Sequence, residues 1–306
     1  MQTTNSAAAL KQILDGSMNL RGTVKKPARH GESKWIEEKV LLSRPQSAKL
    51  LEDANRYMKP SYRHKGAVFT LITSHYFDCA ELRFFHQHFI NAPKRSRLRI
   101  LRHAPNGVWS DEAPLIELKS KVAGVTSKKL FFLTPDNYRR VSNGEPMKMT
   151  AELLALNPGA DKEMLLDGII EINSLVYEYG LKPSLKIQYK RLAYESADGF
   201  RLNMDMNLKI DALDLDVTEV AGTQVISNEV WEKAGQLASK YERKGHFVVE
   251  FKHTGGLPQW VAAFMKRNEI NTTGFSKYCW AVHKTSGPEL AESEVEEDEL
   301  VLAGAY

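Results

Sequence analysis

The segment Ile116-Glu117-Leu118-Lys119-Ser120-Lys121 alternates in character from one residue to the next. Successive side chains of a β-strand point to opposite faces, so a strand here places Glu117, Lys119 and Lys121 on one face. A face with two ammonium groups and a carboxylate cannot form an apolar core. The segment is therefore either a solvated sheet surface or the wall of a charged cavity.

The same period-two pattern recurs in five other segments. Each carries polar or charged side chains two residues apart, namely Glu37 and Lys39; Arg97 and Arg99; Tyr189 and Arg191; Arg201, Asn203 and Asp205; and Glu250 and Lys252. Apolar residues between them are suited to packing against helices. Because the pattern repeats, it favours a barrel with a polar interior over unrelated solvated faces.

Other segments predict helices and a last strand. Ser43-Arg44-Pro45 predicts a helix start, with Pro45 near its first position. Residues 149–179 are predicted helical, because Leu165, Ile169, Ile172 and Val176 form an apolar stripe. Residues 275–283 predict a final strand. Together these segments predict a barrel with a polar interior and with helices packed outside it.

Charge divides the chain into three predicted regions. Residues 1–33 predict a short helix and a basic linker, 34–285 the tunnel domain, and 286–306 an acidic, disordered tail. From Thr285 onward there are seven carboxylates and no Lys or Arg, so the net charge rises from +4 for the chain to +11 without this stretch. Such a body favours polyanionic partners.

Cysteine content and hydropathy predict the compartment. Cys79 and Cys279 are the two cysteines, which excludes a disulfide framework or a Cys-rich metal site. No apolar run reaches the roughly 20 residues needed to span a bilayer. The N-terminus lacks the basic-then-apolar form of a signal peptide. We expect a cytoplasmic protein without a membrane span.

The cations on the alternating faces would repel one another inside a single barrel unless anions were bound. They are Lys39, Arg97, Arg99, Lys119, Lys121, Arg191, Arg201 and Lys252. Arginine grips phosphate through a planar fork, and lysine contributes a point charge. Glu37, Glu117 and Glu250 could hold a hard divalent cation that bridges phosphate oxygens. Together these residues favour a linear, densely charged phosphate chain as the ligand.

Two other polar groups carry less weight. His86 and His88 point in different directions on a predicted helix, so we interpret them as surface histidines rather than a metal pair. Lys128-Lys129 and Arg139-Arg140 are interpreted as a solvated face, since no interleaved aromatic residues indicate single-stranded nucleic acid. No nucleic-acid partner is expected.

Six segments occur in the order and spacing of the VTC domain, the polyphosphate polymerase domain of the vacuolar transporter chaperone in the triphosphate tunnel metalloenzyme superfamily. They are residues 73–78 (TSHYFD), 97–99 (RLR), 116–119 (IELK), 189–194 (YKRLAY), 201–205 (RLNMD) and 275–278 (FSKY). The resemblance runs from about residue 35 to 283. It implies the fold class α+β, an antiparallel β-barrel tunnel with flanking helices. It also implies that the γ-phosphate of ATP is transferred inside this tunnel to a growing polyphosphate chain with Mn²⁺ or Mg²⁺.

The resemblance and the charged faces together assign expected roles. Catalytic roles fall to Arg97, Arg99, Lys119 and Arg191. Phosphate-binding roles fall to Lys39, Lys121, Tyr189, Arg201, Lys252, Ser276 and Lys277. Glu250 resembles the metal-binding carboxylate. Trp35 and Gly274 stand where the family commonly has basic residues, which thins the positive wall.

Three function classes remain open at this point. The chain could be a polymerase that uses ATP and polyphosphate, a metal-dependent hydrolase of tri- or polyphosphate, or a non-catalytic sensor of polyphosphate or inositol phosphates. The first two need the metal carboxylate, whereas the third needs only the basic wall. Export of a product would require a separate membrane partner.

Overall fold

The computed structural model describes residues 31–32, 36–61, 66–109, 111–122, 125–212, 226–244 and 247–288. The predicted N-terminal helix, the acidic tail beyond residue 288 and Trp35 lie outside these residues. Within them, no helix is long and apolar enough to cross a membrane.

The strands form one antiparallel curled sheet, a half-barrel built from eight long strands and two short ones. In chain order they are β1 (Gly31–Glu32), β2 (Ile36–Leu42), β3 (Lys59–Pro60), β4 (Thr70–Asp78), β5 (Lys94–Pro105), β6 (Leu115–Val122), β7 (Val125–Phe132), β8 (Lys182–Glu195), β9 (Arg201–Ala212) and β10 (Phe247–His253). The order across the sheet is β1-β7-β6-β5-β4-β8-β9-β10-β2, and β3 pairs with β8.

Eight helices flank the sheet in the described part of the chain. They are α1 (Arg44–Tyr57), α2 (Arg83–Phe89), α3 (Pro135–Ser142), α4 (Ala151–Leu156), α5 (Lys162–Tyr179), α6 (Asn228–Lys244), α7 (Gln259–Arg267) and α8 (Lys277–Ser286). The start of α1 is as predicted, since Pro45 lies in its first turn and Ser43 caps it together with Gln46. The predicted fold class, an antiparallel tunnel fold with flanking helices, is confirmed.

Strand register places the charged segments on one concave face. Arg99 lies opposite Glu117 across β5 and β6, and Arg191 lies opposite Asp205 across β8 and β9. Residues opposite each other in an antiparallel pair share a face of the sheet. The alternation found in the sequence therefore becomes one continuous polar surface.

The intervening apolar residues pack outward under the helices. The stripe on α5, including Leu165, Ile169 and Ile172, is buried in the same cluster as Phe131 of β7. At the other end of the sheet, α1 and α7 cover a second cluster that contains Val40 and Phe251 and their neighbours. Burial of these apolar side chains on the convex side stabilises the curled sheet.

The prediction of a final strand at residues 275–283 is wrong, because this segment forms α8. The Ser276 hydroxyl accepts a hydrogen bond from the Cys279 backbone N–H and caps the helix. The aromatic and β-branched composition is typical of a strand, but Tyr278, Trp280 and Val282 are all buried around the helix. Tertiary burial on several sides overrides the local preference.

The two ends of the strand order approach each other through side chains. The Lys119 ammonium on β6 lies 2.5 Å from the Glu37 carboxylate on β2. No backbone ladder joins β2 to β1, β6 or β7 within the described ranges. An ion pair therefore spans the concave side where a fully closed barrel would have hydrogen-bonded strands.

Asp78, at the end of β4, links two helices to the sheet. Its carboxylate accepts hydrogen bonds from the backbone N–H groups of Phe84 and Phe85, at the start of α2, and from Cys79. It also accepts one from the Tyr278 hydroxyl on α8, at 2.5 Å. Burial raises the pKa of Asp78 to about 6 even though these donors act to lower it.

We expect Asp78→Asn to change the pH dependence of stability. The folded protein holds the Asp78 proton more tightly than the unfolded chain, whose pKa is near 3.8. The contribution of Asp78 to the free energy of unfolding therefore falls as the pH rises from about 4 to about 6, by up to about 3 kcal/mol. Melting temperatures would be measured at intervals of pH. As the pH rises through this window, the melting temperature of the wild type should fall relative to that of Asp78→Asn, whose side chain does not titrate. A rise of the wild-type melting temperature relative to the variant would show that the hydrogen-bond donors outweigh burial.

Candidate functional site

A continuous channel follows the concave face of the sheet. It consists of a mouth cavity of about 450 Å³ and an inner cavity of about 230 Å³. The two cavities share four lining residues, Glu37, Lys39, Arg97 and Lys119. The mouth lies between α2 and the ends of β2, β5, β6 and β7, whereas the inner cavity extends along the middle of the sheet.

Cations outnumber carboxylates along this channel. Ten basic side chains line it: Lys39, Arg95, Arg97, Arg99, Lys119, Lys121, Lys128, Arg191, Lys252 and Lys277. Four carboxylates lie among them, Glu37, Glu117 and Glu250 on the wall and Asp205 in ion pairs with wall residues. The channel therefore carries an excess of six positive charges when all of these groups are ionised.

Glu117 joins three neighbouring strands. Its carboxylate pairs with Arg99 of β5, at 2.5 Å, and with Lys128 of β7. Burial acts to raise the pKa of Glu117, but the charges of Arg99 and Lys128 outweigh it and hold the pKa far below its usual range. Glu117 is thus a permanently ionised carboxylate that holds two cations in place.

Asp205 plays the same part at the other side of the channel. It receives a bidentate contact from Arg191, at 2.6 and 2.7 Å, and pairs with Lys277 of α8 at 2.6 Å. Burial opposes ionisation, yet these two cations lower the pKa of Asp205. The pairing fixes the first residue of α8 against the sheet and points its ammonium group into the channel.

Glu37 bridges the open side of the half-barrel. One of its oxygens contacts Lys119, at 2.5 Å, and the other contacts Lys252, at 3.0 Å. Burial and the neighbouring Glu250 act to raise its pKa, whereas the two lysines lower it, and the lowering prevails. Each of Glu37, Glu117 and Asp205 is therefore shared between two cations.

Three cations at the mouth have no such partner. The side chains of Arg95, Arg97 and Lys121 form no ion pair or hydrogen bond with any other residue that the structure describes, although their backbones pair across β5 and β6. The Lys39 ammonium group donates a hydrogen bond to the Phe275 carbonyl oxygen, at 3.2 Å. Burial, and then the surrounding cations, lower the pKa of Lys39 to about 8 although Glu250 opposes this. The mouth is the part of the channel where positive charge is least compensated.

Aromatic rings form the floor beneath these charges. The Lys277 ammonium lies 4.9 Å from the Tyr189 ring centroid, and the Arg191 guanidinium lies 5.5 Å from it. Tyr76 stacks on Tyr278 of α8 at 5.3 Å and accepts a hydrogen bond from Arg99 at 3.2 Å. These contacts hold the channel cations in defined positions.

The residues present fit a divalent metal that arrives with a phosphate ligand. Among the described residues, no group of three or more His, Cys, Asp or Glu side chains is arranged to hold a metal ion. Glu250 lies close enough to Glu37 to raise its pKa, and Glu117 and Asp205 are committed to ion pairs. One or two carboxylates completed by phosphate oxygens and water is the way Mg²⁺ is commonly bound. Glu37 is engaged by two lysines as well, whereas Glu250 has one longer contact, with Lys252 at 3.5 Å, so Glu250 is the carboxylate most available to a metal ion.

A comparison with protein-family models matches residues 34–286 to the VTC domain. The match covers most of the chain and all of its long strands. The chain belongs to the VTC domain family. Membership of this family supports a function that involves tri- or polyphosphate. No curated protein matches the chain in a sequence search.

Solved structures similar to this VTC domain are distant from it. A Bacillus halodurans structure described as a candidate adenylate cyclase shares 16% identity, covering 79% of this chain and 92% of its own, with a TM-score of 0.41. A Hippeastrum protein described as a candidate adenylyl cyclase with dominant triphosphatase activity shares 19% identity, covering 82% and 95%, with a TM-score of 0.42. The PH1819 protein of Pyrococcus horikoshii OT3 shares 12% identity, covering 81% and 96%, with a TM-score of 0.37.

Ten of the twelve site residues expected from the sequence line the VTC channel. They are Lys39, Arg97, Arg99, Lys119, Lys121, Tyr189, Arg191, Glu250, Lys252 and Lys277. Arg201 instead pairs with Glu195, at 3.0 Å, outside the two cavities. Ser276 is buried as the cap of α8 and lines neither cavity.

Sequence reasoning misplaced two residues that the structure brings to the channel. Lys128 was expected on a solvated face, but β7 points it inward to Glu117 while Lys129 points outward to Glu171. Two adjacent lysines hide the alternation that marks the other strands. His88 was expected on the surface, but it lines the mouth. Phe84, four residues earlier on α2, lines the mouth as well. Residues four apart share a face of a helix, so the apolar Phe84 could have indicated that His88 lies on the inward face.

Matched substitutions of two channel arginines should have opposite effects on stability. Arg99→Gln removes one of the two cations that hold the buried Glu117 and leaves the pair with Lys128, so we expect the free energy of unfolding to fall, but by less than the roughly 3–5 kcal/mol typical of a buried charge left without any partner. Arg97→Gln removes a cation without a carboxylate partner in the described structure, so the melting temperature should stay level or rise. Thermal unfolding of both variants without ligand tests this directly.

The same two variants also report on the ligand. Tripolyphosphate should raise the melting temperature of the wild type, less so at high salt, and this rise should shrink in Arg97→Gln. Equal destabilisation by both substitutions would contradict the distinction between paired and unpaired cations.

Proposed function

We propose that this VTC domain is a polyphosphate polymerase that transfers the γ-phosphate of ATP to a growing polyphosphate chain inside its channel. The observation that supports this most is the continuous channel with ten basic and four acidic side chains. A linear phosphate chain carries charge along its whole length and matches a wall that is positive along its whole length.

Phosphoryl transfer needs positioning and neutralisation of charge more than covalent chemistry by the protein. Arg99 and Arg191 are held by Glu117 and Asp205, so their guanidinium groups need no reorganisation when a phosphate arrives. Arg97 and Lys119 lie opposite each other on β5 and β6 and line both cavities, where they would contact the transferring group. Lys39, Lys252 and Lys277 would hold the phosphates on either side.

The protonation of the channel carboxylates favours an anionic acceptor over water. Burial acts to raise the pKa of each channel carboxylate, but the surrounding cations lower it by more. The net pKa is therefore lowered at all four, Glu37, Glu117, Asp205 and Glu250. A carboxylate with a low pKa is a weak general base at neutral pH. Attack by water needs a base, whereas a terminal phosphate oxygen is already ionised. This argument supports polymerisation ahead of hydrolysis.

Glu250 is the residue we propose for a divalent ion, either Mn²⁺ or Mg²⁺. The cations Lys252, Lys39 and Arg191 keep its pKa well below the usual range against the effect of burial, so it is ionised at any physiological pH. Such an ion, when bound, would supply positive charge at the reacting phosphate. The protein's own part is to supply the ionised carboxylate on a strand that faces the channel.

Glu250→Gln should abolish turnover while binding of the phosphate chain is retained. The amide keeps the shape of the side chain but removes the charge that attracts a metal ion. Purified protein would be incubated with ATP and Mn²⁺ or Mg²⁺, and the products separated into long chains and free phosphate. Glu171→Gln is the matched control, because Glu171 pairs with Lys129 outside the channel.

The products decide among the three function classes. Long chains made by the wild type and lost in Glu250→Gln support the polymerase. Free phosphate without chains would indicate the hydrolase, and binding of tripolyphosphate without either product would indicate the sensor. A drop in the melting temperature of Glu250→Gln with unchanged turnover would show that Glu250 has a structural role only.

A further inference from the structure

We propose that His88 is a further phosphate-binding residue, which takes up a proton when a phosphate chain enters the mouth of the channel. The inference rests on the proposed tri- or polyphosphate function but not on whether the reaction is polymerisation or hydrolysis. It adds a group on α2 to a site otherwise built from the sheet and from α8.

The position of His88 is set by its helix. It lies in the last turn of α2, whose first turn is held by the Asp78 carboxylate. The His88 ring lies near the backbone of Gly274, which leads into α8. A Cβ atom built on Gly274 would meet nothing within 4 Å, so open space lies beside this residue. The helix thus sets the position of His88, and its ring borders the mouth cavity.

Most of the charged groups that line the mouth with His88 are basic, and they come from three of the four strands that border it. Arg95 and Arg97 come from β5, Lys39 from β2, and Lys119 and Lys121 from β6, whereas β7 contributes the neutral Thr126 and β2 the single carboxylate Glu37. Glu37 is already engaged by Lys119 and Lys252. The charge at the mouth therefore disfavours an imidazolium ion in the protein without ligand.

Electrostatics accordingly keep His88 neutral until an anion arrives. Burial, followed by the charges of Arg97, Lys39 and Arg95, lowers its pKa to about 3, against a smaller opposing effect of the Gly274 contact. A phosphate chain in the mouth would neutralise those three cations and place negative charge beside the ring. Both changes favour the protonated imidazole, which would then donate a charge-assisted hydrogen bond to phosphate.

The consequence is a binding site whose positive charge grows on occupancy. Lysine and arginine at this position would add to the repulsion in the unliganded channel. A histidine stays neutral there and contributes a charge only when phosphate is present. By linkage, chain binding and proton uptake at His88 strengthen each other, so the contribution of His88 to affinity increases as the pH falls.

The first experiment follows the titration of His88 itself. Histidine ring signals of the full chain would be recorded by NMR against pH, with and without tripolyphosphate, in the absence of divalent metal. Nine histidines contribute signals, and the one missing from His88→Gln identifies His88. We expect its pKa to rise by about three units on addition of tripolyphosphate, to about 6.

The second experiment measures affinity for tripolyphosphate at pH 5.5 and 7.5 by calorimetry. A bound-state pKa near 6 makes wild-type binding about fourfold tighter at pH 5.5 relative to a protein in which the residue stays neutral. The ratio of wild-type to His88→Gln affinity should therefore rise about fourfold from pH 7.5 to 5.5. Protonation of tripolyphosphate affects both proteins equally at a given pH, so its effect on affinity cancels in this ratio. His86→Gln, two residues away on α2 and outside both cavities, should show no change in the ratio.

The outcomes separate this inference from the proposed function. Failure of the wild type to bind tripolyphosphate at low salt would overturn the phosphate function and the role of His88 together. Binding with an unchanged pKa of His88, or with the same pH dependence in wild type and His88→Gln, would overturn the inference alone. A rise in the pKa of His88 on addition of tripolyphosphate, together with a ratio of wild-type to His88→Gln affinity that increases from pH 7.5 to 5.5, supports the inference.

Discussion

The sharing of three channel carboxylates, each between two cations, is the interaction on which the rest of the structure depends. Glu117 joins Arg99 to Lys128, Asp205 joins Arg191 to Lys277, and Glu37 joins Lys119 to Lys252. Basic side chains on neighbouring strands repel one another strongly in a low-dielectric interior. A carboxylate between two of them supplies attraction to both, so the concave face can be charged and still folded.

This arrangement also connects distant parts of the chain. The Asp205–Lys277 pair attaches α8 to β9, and the Asp78–Tyr278 hydrogen bond attaches the next residue of α8 to the end of β4. The same Asp78 carboxylate holds the start of α2, which carries His88 to the mouth. The position of the channel groups therefore depends on polar contacts within the fold as well as on the apolar packing outside the sheet.

The pairing of cations with carboxylates differs between the inner part of the channel and its mouth. The inner part has its cations paired with carboxylates, which makes them rigid, oriented donors. The mouth has Arg95, Arg97 and Lys121 without such pairs in the described structure, which leaves a strong positive field for a polyanion to enter. Rigid donors suit the chemistry of a transferring phosphoryl group, and an uncompensated mouth suits attraction and retention of a chain.

The sequence alone determined which residues share a face, because the two-residue period of a strand is a local property of the backbone. It therefore indicated most of the channel residues and the antiparallel tunnel fold. The same local argument could not identify β7, since Lys128 and Lys129 are adjacent lysines with different surroundings. It also predicted a strand for residues 275–283, where burial on all sides and the Ser276 cap produce α8.

Only the tertiary structure decided which charges are paired and which are not. Lys119 pairs with Glu37, 82 residues away in the chain, and Lys277 pairs with Asp205, about 72 residues away. A local pattern in the sequence cannot predict which residues pair at such separations. His88 reaches the mouth because α2 packs beside β5, and its pKa is lowered because the ring is buried and cations from two strands surround it. Charge pairing and pKa depend on which groups are close in space, and the packing of the whole chain determines that proximity.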